Sequence, residues 1–180
     1  PCNITVTGAD VPMTQFAQEE IMAAGQDHGV EEAWTVSFDG IDESLGEQAY
    51  AVTISDKTIS IKGGDDAGLM YGGLEVAEQI ALYGAEGVQE AAAAPYVLNR
   101  GYILNCPLDM RSPAYNTPSI QGQNNIETMW DIEYWHELFD SMARYRDNVF
   151  YLKNLNPYPS MVKVEGYEFG PQIENIPIAI

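Results

Sequence analysis

Basic residues are scarce in this sequence. Eight lysines and arginines stand against 27 aspartates and glutamates, so the 180-residue chain carries a formal charge of −19 and a sequence pI near 4.1. A surface of that sign repels phosphate backbones and anionic membranes, which makes nucleic acid an unexpected partner. The acidic residues are scattered rather than gathered in a tail, the pattern of a solubilising surface. Cysteine is nearly absent, with only Cys2 and Cys106. One lies at the terminus and the other in an apolar strand, a spacing that gives neither a disulfide framework nor a metal cluster. No run approaches the ~18 apolar residues of a membrane span, and the sequence opens on no basic-then-apolar leader pattern. Neither a GxGxxG nor a P-loop pattern occurs, since Gly63-Gly64 lacks a following lysine, so no phosphate cofactor is expected. What is abundant is apolar: 46% hydrophobic residues exclude a disordered chain and leave room for one domain or two small ones.

In chain order, Asn3 to Gly8 predicts a short strand with Ile4 and Val6 on one face. Thr14 is placed to cap a helix with apolar positions at Met13, Phe16, Ala17, Ile21 and Ala24, and Gly29 to close it. Ala33 to Phe38 alternates with Trp34, Val36 and Phe38 on one face, a half-buried strand. Ala49 to Ile54 and Thr58 to Gly63 form a hairpin about a turn at Ser55, Asp56 and Lys57. Asp65 or Asp66 then caps a helix ending at Gly84. Gly72 and Gly73 inside that helix cost about 1 kcal/mol each relative to alanine, which points to close packing on the sheet. These elements predict a small α+β layer over residues 1–84, with two helices on one face of a mixed or antiparallel sheet. Residues 85–95 show neither strand alternation nor caps and read as a linker.

From Asn99 onward the pattern changes. An apolar strand (NRGYILNCPLD, Asn99 to Asp109), a polar loop, an amphipathic helix and a second apolar strand (VFYLKN) read as a βαβ unit with parallel strands. On the helix, Trp135, Leu138, Phe139, Met142 and Tyr145 form the stripe expected to face the sheet. Its acidic start (Asp131, Glu133) and basic end (Arg144, Arg146) suit the helix dipole. Parallel strands are stable with helices on both faces or in a closed barrel, and one βαβ unit supplies neither. The rest of such a barrel, or another chain, is therefore expected to pack on residues 96–180.

The hairpin and helix YAVTISDKTISIKGGDDAGLMYGGLEVAEQI resemble the accessory domain that precedes a (β/α)8 catalytic barrel in family-20 hexosaminidases and α-glucuronidases. NRGYILN resembles the Arg-Gly start of barrel strand one, and FDSMARYRDNVFYLKNLN the following helix and second strand, with Asn154-Leu155-Asn156 similar to the Asn-Val-Asn ending that strand in α-glucuronidases. The resemblance implies an α+β accessory domain followed by the first βαβ unit of a TIM-type barrel, with residues 96–180 as a truncated barrel start. It implies the N-terminal portion of a secreted, bacterial-type glycoside hydrolase acting on poly- or oligosaccharides, extracellular or periplasmic, with no cofactor and no metal. The family's catalytic carboxylates would lie beyond Ile180. A non-catalytic carbohydrate-binding or surface-assembly module is the alternative.

Barrel active sites are built at the C-terminal ends of strands, where Asp109, Arg111, Asn154 and Asn156 would fall. Asn amides and carboxylates bracket sugar hydroxyls, an arginine fork holds a hydroxyl pair or a uronate, and Tyr115 and Tyr158 offer faces for stacking. The second arginine of the hexosaminidase pattern comes eight residues after the first, whereas Arg111 follows Arg100 by eleven; the family's strand-one Asp falls on Asn105. Against these sugar roles stand structural ones: an Arg111–Asp109 pair closing the loop, Asn154 and Asn156 as turn residues before Pro157, and the tyrosines as loop packing. His28 and His136 both fall on helices with no Ser or Cys partner, which argues against nucleophilic catalysis.

Overall fold

The computed structural model describes residues 2–105, 128 and 131–153. The chain divides into two compact units, Pro1–Leu98 and Asn99–Ile180.

The first unit is a five-stranded mixed sheet with two helices on one face. Its elements are β1 (Ile4–Thr7), α1 (Pro12–His28), β2 (Trp34–Ile41), β3 (Tyr50–Ser55), β4 (Thr58–Gly63), α2 (Asp66–Tyr83) and β5 (Ala91–Ala93). The strand order is β1-β2-β4-β3-β5: β1, β2 and β4 are parallel, and β3 runs antiparallel to both β4 and β5. Period-two alternation decides the two faces. Val36, Ile59, Ile61 and Val52 are buried beneath the helices, whereas Thr5, Thr35, Thr58 and Ser55 form a row of register partners on the opposite face, followed by Thr7, Ser37, Ser60 and Thr53. The predicted apolar positions Ala17, Ile21 and Ala24 of α1 close the core from above, together with Leu69, Val76, Ala77 and Ile80 of α2.

The paired glycines of α2 act as expected. A Cβ at Gly72 would meet Ile61 Cγ2 at 2.6 Å, and one at Gly73 would meet Ala17 Cβ at 2.7 Å and the Phe38 ring at 2.9 Å. Gly72 thus lets α2 approach the sheet, and Gly73 lets it approach α1. The start of α1 differs from expectation. Pro12 takes the first helical position, Val11 is the N-cap, and Thr14 sits one turn in, its hydroxyl accepting from Val11 N–H (3.2 Å) and donating to Val11 O (2.9 Å). Proline's fixed φ and missing N–H suit that first position, so the helix begins earlier than the threonine suggests.

Residues 85–95, expected as a linker, are instead part of the first unit. Ala85–Gly87 forms a 3-10 turn and Ala91–Ala93 is the edge strand β5. Side chains hold the segment down: Gln89 N donates to Gln79 Oε1 (2.7 Å), and Ile54 N donates to Glu90 Oε1 (3.2 Å). An alanine run has little strand propensity of its own, so the sheet edge, not the local sequence, makes this strand.

The second unit, in its described part, is β6 (Gly101–Asn105), α3 (Ile132–Arg144) and β7 (Val149–Lys153), with β6 and β7 parallel and in register from Gly101↔Val149 to Asn105↔Lys153. This is the βαβ arrangement expected from the sequence. Trp135, Phe139 and Phe150 form an aromatic cluster with centroids 5.5–5.9 Å apart, and Met142 is buried. The expected stripe is only partly covered: Phe139 is 45% exposed and Tyr145 is 73% exposed. Tyr145 is the C-cap, where the chain leaves the helical phase that would have kept it on the stripe.

Candidate functional site

The six residues expected at a sugar site, Asp109, Arg111, Tyr115, Asn154, Asn156 and Tyr158, lie outside the described residues. What is on view is the scaffold that leads to them. Because Asn105 and Lys153 are register partners in a parallel pair, the chain leaves β6 and β7 from the same end, and Asn154 directly follows β7.

The opposite end of the pair is closely built. Arg100 donates from Nε (2.9 Å) and Nη2 (2.7 Å) to the carbonyl of Arg146, and its backbone N–H donates to Asn148 Oδ1 (2.9 Å). The Arg100 carbonyl accepts from both Asn148 N and Val149 N at 2.8 Å. Arg146 sits at φ 60°, a left-handed conformation that the forked contact on its carbonyl helps to hold. Gly101 is required next to it, since a Cβ there would run into the Val149 carbonyl. Arg100 and Gly101 at the start of β6 and Arg146 and Asn148 ahead of β7, all within segments that carried the family resemblance, therefore form one structural latch at the N-terminal ends of the strands. Sequence reading found these residues and missed their partnership, because nothing in the spacing ties Arg100 to a carbonyl 46 residues away.

Other groups are accounted for by structure. The N-terminus of α2 carries its own acidic cap: Asp65 Oδ1 accepts from Gly68 N (2.7 Å) and Oδ2 from Gln48 N (2.9 Å), which puts a carboxylate where an anion would otherwise be drawn to the helix end. His28 ends α1 as expected, with Nδ1 3.4 Å from the Ala81 carbonyl, and His136 is exposed on α3. An open cleft of ≈ 500 Å³ is lined by His28, Gly29, Val30, Glu31, Glu32 and Glu86. Its carboxylates face solvent, and Glu32 is paired with Lys57 at 2.7 Å, which holds its pKa below the usual value. The Asp42 carboxyl is held below its usual value by hydrogen bonds from the Ser44 hydroxyl and backbone N–H. Among the described residues no group of three or more His, Cys, Asp or Glu side chains is arranged to hold a metal ion, and no helix is long and apolar enough to cross a membrane.

No family model and no curated protein matches the sequence. Solved structures do. The chain is similar to a family GH138 enzyme targeting pectin rhamnogalacturonan II, with TM-score 0.70 and 22% identity over 92% of this chain and 20% of that one. It is also similar to BtGH115A, a family GH115 4-O-methyl-α-glucuronidase with specificity for decorated arabinogalactans, with TM-score 0.56 and 18% identity over 84% of this chain and 25% of that one. The chain thus spans about a fifth to a quarter of the length of the enzymes it matches, and its α+β fold is one that recurs within glycoside hydrolases of families GH138 and GH115.

Proposed function

We propose that the chain is the N-terminal portion of a secreted glycoside hydrolase, an α+β accessory unit leading into the first βαβ unit of a (β/α)8 catalytic barrel. One observation carries the reading: a mixed α+β layer is followed directly by a parallel βαβ pair, in an arrangement shared with a glycoside hydrolase over 92% of the chain. The side chains of the pair support it. Ile103 and Tyr151 are register partners, 70% and 54% exposed, and Val149 on the same face is 40% exposed. A barrel interior is filled by apolar and branched side chains of this kind.

The chemistry would be glycosidic bond hydrolysis by two carboxylates, an acid and a nucleophile or base, supplied from later strands. This chain's share would be substrate positioning from the strand ends: Asp109, Asn154 and Asn156 bracketing hydroxyls, Tyr115 and Tyr158 stacking on sugar faces, and Arg111 gripping a hydroxyl pair or a uronate. With a net charge of −19, the surface at large would not hold an acidic glycan, so an acidic sugar would depend on a specific fork such as Arg111.

Arg111 gives the test. A lysine keeps the charge and loses the planar fork. In the complete enzyme, Arg111→Lys is expected to lower kcat/KM by about 2–4 kcal/mol in transition-state binding with little change in Tm. Normal kcat/KM with a lowered Tm would instead mark Arg111 as a loop-closing partner of Asp109.

A further inference from the structure

We propose that residues 89–93 are a guard that keeps the edge of β3 from pairing with the β3 edge of a second copy of this chain. β3 (YAVTIS) has six residues, none of them charged and none a glycine or proline. In so acidic a chain, a short, β-prone, charge-free strand carries the signature of a segment that pairs with itself. A two-fold axis would bring two such edges together antiparallel. The opposite edge of the sheet, β1, has only four residues, and shortness is itself a protection.

The strand that covers this edge has little reason to form on its own. β5 is three alanines, set opposite Tyr50, Ala51 and Val52. Side chains on either side of it hold it there. Glu90 reaches beyond the paired residues, and its Oε1 accepts from Ile54 N (3.2 Å), an N–H that an incoming strand would need. Successive N–H groups of a strand point to opposite sides, so Val52 N–H faces β5 as Ile54 N–H faces Glu90, whereas Thr53 N–H faces β4. A second tie runs through α2. Gln89 N donates to Gln79 Oε1 (2.7 Å), Gln79 Nε2 donates to Glu75 Oε1 (2.8 Å), and the Tyr50 hydroxyl donates to Glu75 Oε2 (3.2 Å). The circuit leaves β3, crosses α2 and returns to the start of β5, all within the first unit.

Amide hydrogen exchange read residue by residue, together with sedimentation in about 1 M salt, where a Debye length of about 3 Å leaves the negative charge little reach, tests the proposal on the complete protein. In the double variant Gln79→Ala, Glu90→Ala, the Val52 and Ile54 amides are expected to exchange on the order of tenfold faster at low protein concentration while Thr53 keeps its protection. At high concentration the same variant is expected to form a species of twice the wild-type mass, in which Val52 and Ile54 are protected again. Glu90→Gln loses the charge but keeps an acceptor for Ile54 N, so it is expected to stay at the wild-type mass. Adding Thr53→Lys, a charge at an exposed position of β3, is expected to return the double variant to that mass. Unchanged exchange at Ile54, an unchanged mass with the edge exposed, association that Thr53→Lys leaves intact, or equal association by Glu90→Gln would overturn the proposal. So would loss of Thr53 protection along with the other two, which would make the segment a support of the whole sheet and not a guard of its edge.

Discussion

At the scale of single residues, the second unit rests on Arg100. Its guanidinium makes two hydrogen bonds to one carbonyl, a geometry that a lysine cannot reproduce. Arg100→Lys is expected to destabilise the second unit by about 1–3 kcal/mol, because the left-handed turn at Arg146 loses its support. Thermal unfolding followed at the Trp135 cluster would read this loss, and an unchanged midpoint there would show the latch to be dispensable. Sequence alone flagged the segments holding Arg100-Gly101 and Arg146 to Asn148 as family-like, yet their contacts span nearly fifty residues. Local spacing carries no information about such a closure. Gln48 was invisible for the same reason: a glutamine in a polar loop gives no sign that it is buried or that its backbone is left-handed.

At the scale of elements, periodicity served well wherever one face is buried. Trp34, Val36 and Phe38 of β2 and Ile59 and Ile61 of β4 are all core, as their alternation implies. It failed at β5, where three alanines have no alternation to show and pairing with β3 supplies the structure. It also overreached at α3, extending the apolar stripe to Tyr145 beyond the helix end. The glycine pair of α2 was legible because two helix-interior glycines are costly without a packing reason. Gly73→Ala is expected to destabilise the first unit by about 1–3 kcal/mol, since the new methyl would press on both Ala17 and Phe38. A chemical denaturation midpoint equal to that of the wild type would show that the α1–α2 contact yields without cost.

At the scale of the whole molecule, acidity and the α+β character of the fold were legible, and the site was not. Composition gave the charge of −19 and periodicity gave an α+β layer followed by a βαβ unit, whereas the residues expected to meet sugar fall outside the described residues. The charge has one consequence that titration can read. The Lys57 partner lowers the Glu32 pKa from its ordinary 4.5, so the folded state binds that proton less tightly than the unfolded chain does. The stabilisation is fully present above about pH 4.5 and is lost as pH falls through the lowered folded value. Replacing Lys57 by methionine is therefore expected to lower Tm slightly at neutral pH and to make no difference well below pH 4, with the gap also closing in high salt because the pair is exposed. A gap that widens on acidification would contradict the assigned pairing.

What surrounds β6 and β7 decides whether this chain begins a glycosidase barrel. An experimental structure of the full-length protein is the most direct test: it is expected to show six further parallel strands closing a barrel with these two, Ile103 and Tyr151 inside it, and a pair of carboxylates at the same strand ends as Arg111 and Asn154. An open sheet, or an antiparallel strand paired to β6 or β7, would contradict the proposal that this chain begins a glycosidase barrel.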